Sequence, residues 1–237
     1  MATKRRLSSP EVPSPLRRGS GVGGAPVPLA VDAVSSPLDG DLSTMWIPQE
    51  LESHLFGALA YTRPRLAERP SIMVFGKLCR QSRDIGFFAD EPVVPYTYSG
   101  SSTHEAQPMG KDLGVILAAV NRAVPRAGFN AVVVNRYGAD GSIGFHADDE
   151  ACLGGDGSVA TLSAGESRTM FFKDRSTKKT VAEVPLHHGT LTVMGPGFQQ
   201  KYLHGIPKRK THIGRDGKKA RNESVRVSFT FRHHETV

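Results

Sequence analysis

The sequence predicts an α+β, mainly β fold: a double-stranded β-helix, or jelly roll, backed by N-terminal helices. Two early stretches carry apolar residues at helical spacing. Most of the rest falls into short β-branched and aromatic runs bounded by Gly, Pro, Asp or Lys-rich turns. Few helices and many short strands in one chain point to a strand-rich sandwich with helices on one side.

Residues 1 to 44 are rich in Ser, Pro, Gly and Ala, with basic knots at Lys4, Arg5 and Arg6 and at Arg17 and Arg18. Such a composition buries too little apolar surface to offset chain ordering, so a disordered arm is expected there, with the folded domain spanning 45–237. The arm holds a candidate nuclear-import signal. Its scarcity of acidic residues also suits a transit peptide for the mitochondrion or another organelle. Pro48 suits a first helical turn, and Leu51, Leu55 and Leu59 then recur at helical spacing. Leu113, Ile116, Leu117 and Val120 follow the i, i+3, i+4, i+7 pattern of a second helix. SIMVFGKL, AVVVNRY, RTMFF, TVAEVPL, TLTVM and SVRVSFTFR are the expected strands. In the last of these, Val225, Val227, Phe229 and Phe231 share one face, and Arg226, Ser228, Thr230 and Arg232 the other. On an edge strand the arginine face would simply meet solvent, and the strand taken alone is read that way. The sharper reading is a strip of donors able to clasp a carboxylate.

At 237 residues the chain accommodates one well-buried domain plus a tail. A formal net charge of +7 and a pI near 9.6 favour a polyanionic partner, nucleic acid first. Cys79 and Cys152 are too few for a disulfide framework and lack zinc-site spacing, so a reducing compartment is expected. No apolar run approaches the ~20 residues that span a bilayer, and no secretory signal is visible. A soluble, intracellular monomer without membrane contact is expected.

The stretch from Asn135 to Glu150, NRYGADGSIGFHADDE, concentrates the chemistry. In extended backbone His146 and Asp148 point the same way, as do Asn135 and Tyr137 before them. An imidazole and a carboxylate so placed need one more ligand to complete the two-His-one-carboxylate set that leaves open positions on iron(II). His187, His188 and His204 compete for that role. The first two precede a Gly-Thr turn and a fresh strand, whereas His204 ends a strand and can point inward, so His204 is preferred. His-x-Asp alone is a common tripeptide. The order His-x-Asp, distant His, then an arginine-bearing closing strand is what makes it informative.

These motifs resemble the AlkB family of iron(II) and 2-oxoglutarate-dependent dioxygenases, in particular its nuclear DNA-repair branch. The likeness runs from VFGK at Val74 through YTYSG at Tyr96, NRY at Asn135, HADDE at His146 and HG at His204 to RVSFTFR at Arg226. It implies that His146, Asp148 and His204 hold iron(II). It further implies that Arg226 pairs with the distal carboxylate of 2-oxoglutarate, that Asn135, Tyr137 and Ser228 contact the same cosubstrate, and that Arg232 braces its other end and Asp148. Ser228 stands where many relatives carry Asn, which shortens that contact. The implied reaction is repair of 1-methyladenine and 3-methylcytosine in DNA, with O2 as oxidant and ascorbate as reductant in vitro, releasing succinate, carbon dioxide and formaldehyde.

A base must leave the duplex to reach such a metal. By resemblance, Val74 and Phe75 form an apolar wedge that fills the gap left by the flipped base. Tyr98 would stack on that base, and Tyr96, Ser99 and Glu150 would read its edge. Glu150 shares the side of Asp148 if the strand continues. Arg83 would grip a strand, and Lys173, Arg175 and Lys210 belong to basic loops expected to bind phosphates of double-stranded DNA. The alternatives are an RNA demethylase of the same family and a hydroxylase of protein side chains; the wedge favours duplex DNA over RNA.

Overall fold

The computed structural model describes residue 38 and residues 42–74, 76–98, 102–208 and 224–237. Strand β1 (Leu42–Trp46) and a short 3-10 turn (Gln49–Leu51) lead into helix α1 (Glu52–Thr62). Then come β2 (Ser71–Val74), β3 (Lys77–Arg80), β4 (Arg83–Ala89), β5 (Tyr96–Tyr98), β6 (Ser102–His104) and helix α2 (Lys111–Ala123). The second half comprises β7 (Ala131–Tyr137), β8 (Ile143–His146), β9 (Val159–Gly165), β10 (Arg168–Asp174), β11 (Thr180–Leu186), β12 (Thr190–Met194), α3 (Phe198–Lys201), β13 (Tyr202–Ile206) and β14 (Arg226–Arg232).

Two antiparallel sheets build the expected jelly roll. The larger has the order β1-β12-β9-β14-β7-β4 and the smaller β11-β10-β13-β8. Met170, Phe172, Ala182, Leu186 and Ile206 of the smaller sheet pack on Leu42, Tyr137, Val159 and Met194 of the larger one. On the opposite face of the larger sheet, Leu55 and Ala58 of α1 and Leu113, Ile116 and Val120 of α2 cover Val132, Val134, Leu162, Phe229 and Phe231. The stripe predicted for α2 buries against this sheet, while of the one predicted for α1 Leu55 is buried, Leu59 is half-buried and Leu51 lies in the preceding 3-10 turn; at about 25 cal/mol per Å2 of apolar surface this double layer dominates the stabilisation.

Three local expectations change. SIMVFGKL is not one strand but the hairpin β2–β3, in which Val74 faces Lys77, because Gly76 takes a φ of +74° and the chain reverses there. Strands β4 and β9 escape a pattern-based reading. RDIGFFA carries two charged residues and a glycine, and VATLSAG is small-residue-rich because it is squeezed between β12 and β14 and buried along nearly its whole length. Strand β1 starts three residues before the boundary expected at residue 45 and pairs with β12. The arm expected before it lies outside the described residues, apart from Leu38 and Leu42–Thr44.

The largest correction concerns β14. It is a central strand, paired with β7 on one side and β9 on the other. Its arginine face therefore does not meet solvent; Arg226, Ser228, Thr230 and Arg232 are all buried and turn toward the space between the sheets.

Candidate active site

Strands β8 and β13 pair with His146 directly opposite His204, which brings the two imidazole centroids to 4.3 Å. The ladder of β8 stops at His146, and residues 147–150 have no regular structure. Asp148 is nevertheless turned inward. Its carboxylate oxygens lie 3.6 Å from His146 Nε2 and 3.7 Å from His204 Nε2. One donor atom from each of the three residues falls within 4.8 Å of the others, a set able to hold a metal ion.

Neighbouring groups prepare these donors. His146 Nδ1 lies 2.9 Å from the Gly144 carbonyl, which can only accept, so the ring proton sits on Nδ1 and the Nε2 lone pair is left for a metal. Burial pushes both imidazoles down, His204 to about 3, so they stay neutral. Burial alone would raise the Asp148 carboxyl, but Arg232, then His204 and His146, outweigh it and hold it below the usual carboxylate range. Arg232 Nη2 donates to Asp148 Oδ1 at 2.5 Å, and the Asp148 amide donates to Gln199 Oε1 at 3.0 Å.

The cavity continues from the metal ligands along β14 and β7. Arg226, Ser228 and Arg232 line it together with Asn135 and Tyr137, as do Tyr96 and Arg83. Arg226 is 1 % exposed. It donates Nη2 to Ser163 Oγ at 3.0 Å and rests over the Tyr137 ring at 5.2 Å, while its Nε and Nη1 have no hydrogen-bond partner among the described residues. Burial, with nearby Arg168 adding to it, lowers this guanidinium to about 10 despite Tyr137. A buried cation with two open donors is a costly arrangement that an incoming carboxylate relieves. Asn135 Oδ1 accepts from Arg83 Nε at 2.8 Å. Arginine can only donate, so the Asn135 NH2 is left as the donor available to a second acceptor. The donor set thus fits a metal at one end and a dicarboxylate across the remainder.

Other expected residues fall into two groups. Tyr96 lies in the cavity wall under Arg232, whose guanidinium is 5.0 Å from its ring, and burial pushes its hydroxyl up. Glu150 reaches the site through the irregular turn rather than a continuing strand. Its Oε1 is 3.8 Å from Arg232 Nη1, and burial raises its carboxyl against the pull of Arg232. Arg83, expected as a surface strand-gripping residue, is 5 % exposed and faces Asn135. Lys173, expected in a loop, instead belongs to strand β10 of the smaller sheet, where it pairs with Leu203, and its ammonium lies 4.0 Å over the Phe145 ring. Arg175 is 2.9 Å from Asp149 and donates to the Gln199 carbonyl. Phe75, Ser99 and Lys210 lie outside the described residues, as do the side chains of Val74 and Tyr98. His187 stacks on Trp46 and His188 bonds Glu52, so neither competes with His204. The pattern missed Gln199 and Ser163, whose polar side chains resemble surface residues until the sheets assemble.

The model of the 2OG-Fe(II) oxygenase superfamily matches residues 42–232. The DNA oxidative demethylase ALKBH2 of Arabidopsis thaliana is 30% identical over 188 residues, covering 69% of this chain and 57% of that protein. Human DNA oxidative demethylase ALKBH2 is 30% identical over 214 residues, covering 85% and 73%. The chain therefore spans little more than half of the plant relative. A solved structure, "The structure of OsALKBH1", superposes with a TM-score of 0.52 over 81% of this chain and 98% of that one at 16% identity, a likeness of fold. With a family model spanning both sheets and a 30% identical human relative covered to 73% of its length, the chain belongs to the AlkB family of 2OG-Fe(II) oxygenases.

Proposed function

We propose that this chain is an iron(II)- and 2-oxoglutarate-dependent dioxygenase that removes methyl groups from 1-methyladenine and 3-methylcytosine in DNA. The observation that carries the reading is one cavity with His146, Asp148 and His204 at one end and the under-coordinated Arg226 at the other. In this reading the three ligands hold iron(II), and Arg226 takes the distal carboxylate of 2-oxoglutarate. The Asn135 amide and the Tyr137 hydroxyl donate to the cosubstrate, and Ser228, opposite Asn135 in the ladder, lies along its length. Arg232 keeps Asp148 ionised and oriented. Bound iron, 2-oxoglutarate and O2 supply the oxidation: one oxygen atom ends in succinate as carbon dioxide is lost, the other on the methyl carbon, which leaves as formaldehyde.

DNA as substrate is supported by the net charge of +7 and by the DNA oxidative demethylase activity for which the ALKBH2 relatives are named. We assign Val74, the last residue of β2, and Phe75, next in sequence, as the wedge, and Tyr98 as the base-stacking residue. Tyr96, Ser99 and Glu150 read the base edge, and Lys173 and Lys210 contact phosphate. Nuclear location and a monomeric state complete the proposal; tagging the chain with and without residues 1 to 44 tests the first. The deciding experiment supplies purified protein with iron(II), ascorbate and 2-oxoglutarate and measures demethylation of matched duplex DNA, single-stranded DNA and RNA. Turnover fastest on duplex DNA is expected. Faster turnover on RNA replaces the substrate with RNA, and methyl loss without 2-oxoglutarate rejects the mechanism.

A further inference from the structure

We infer that Gln199 is a positioning residue that holds Asp148 in place for the metal, an inference that rests on the metal reading above. Asp148 lies beyond the end of the β8 ladder, so no strand partner holds its backbone. Its amide donates instead to Gln199 Oε1 at 3.0 Å, from a side chain 5 % exposed. A backbone N–H can only donate, so the amide oxygen faces Asp148 and the NH2 faces Met194 Sδ, 3.6 Å away on β12. The bond spans 51 positions in sequence.

Its placement couples two ligands. Gln199 belongs to α3, which runs directly into β13 and its ligand His204. The side chain thus joins the turn carrying Asp148 to the segment carrying His204, and through Met194 touches the larger sheet. The backbone is secured as well: Arg175 Nη1 donates to the Gln199 carbonyl at 2.9 Å and lies 2.9 Å from Asp149 Oδ2. Arg175 therefore bridges the same two segments from outside, and its guanidinium serves this clamp. Partners of metal ligands commonly govern metal affinity by 10–100-fold because they remove the freedom of the ligand to turn away.

The test uses metal-stripped full-length protein and Mn(II) as the probe, with free Mn(II) followed by electron paramagnetic resonance. Gln199→Met keeps the shape and removes the acceptor; Gln199→Glu keeps the acceptor. The expected result is Mn(II) affinity lowered by about tenfold or more in Gln199→Met and at least partly recovered in Gln199→Glu, with the metal-free melting temperature of Gln199→Met close to wild type. Gln199→Met that binds Mn(II) as tightly as wild type overturns the inference. Wild type that binds no Mn(II) overturns the metal reading and the clamp together. Amide exchange of the metal-free wild type needs no variant: a protected Asp148 N–H supports the clamp, and one that exchanges freely overturns it.

Discussion

Arg226 and Arg232 end the same buried face of β14, yet their surroundings are opposite. Arg232 has an anion within the protein. It bonds Asp148, lies near Glu150, and these carboxylates, with Tyr96, hold its guanidinium above the ordinary arginine value against burial. Arg226 has a serine hydroxyl and an aromatic face, and burial pulls it down to about 10. One strand thus carries an arginine paired with carboxylates beside the metal ligands, although its Nε and Nη1 likewise lack a hydrogen bond, and at the other end an arginine with no anionic partner among the described residues. The first serves the architecture of the site, and the second awaits an anion from outside.

The largest break in this comparison comes from removing the internal anion. Asp148→Ala should abolish turnover and metal retention, and by stranding Arg232 it should cost about 3–5 kcal/mol of stability. Metal analysis and denaturant unfolding read both. Turnover that survives Asp148→Ala or His146→Ala removes these residues from the metal site, whereas a wild type that binds DNA without any turnover is a nucleic-acid-binding module and not an enzyme.

Next comes the far end. Arg226→Ala should weaken 2-oxoglutarate binding by about 2–5 kcal/mol, roughly 30-fold or more, and leave Mn(II) affinity unchanged. Discrimination between 2-oxoglutarate and 2-oxobutyrate, which lacks the distal carboxylate, should collapse in the variant. Calorimetric titration with both acids checks this, and retained discrimination places the carboxylate elsewhere.

The charge of Arg232 also reaches His234, buried beside Phe87 and Tyr96. Burial chiefly, then Arg232 and His233, push this imidazole down to about 4. Its folded pKa lies below the unfolded value of about 6.5, so the unfolded chain takes up the proton first as pH falls. Stability is full above pH 6.5 and declines toward pH 4, by about 2 kcal/mol at pH 5 from this residue alone. His234→Gln should show a shallower loss of melting temperature between pH 7.5 and 5 than wild type; equal slopes refute the assignment.

The smallest effect concerns the proposed wedge. Phe75→Ala should lower turnover on duplex DNA by about tenfold and on single strands little, since only the duplex needs the gap filled. Equal losses on both substrates remove the wedge from the proposal.

Much of the site was legible because its signals are local. His146 and Asp148 are two positions apart, and the alternation of Arg226 to Arg232 follows from the two-residue period of a strand whatever its neighbours. The helices were legible through the spacing of Leu113, Ile116 and Val120, all of which are buried in α2. Residues whose meaning comes from distant partners were not. Arg83 meets Asn135 across 52 positions, and a basic residue with no visible partner reads as surface. Glu150 was connected to Asp148 by assuming a continuing strand, whereas an irregular turn delivers it to Arg232.

By itself the sequence determined the strand-rich fold, the order of the three candidate ligands and the two faces of the closing strand, because these depend on spacing and side-chain chemistry along one stretch. Only the tertiary structure decided that β14 lies between β7 and β9, that both of its faces are buried, and that one arginine finds a carboxylate while the other finds none among the described residues. Strand order, burial and charge pairing are set by segments far apart in the chain, and in a buried, low-dielectric space they determine whether a guanidinium is satisfied at home or needs an anion from outside.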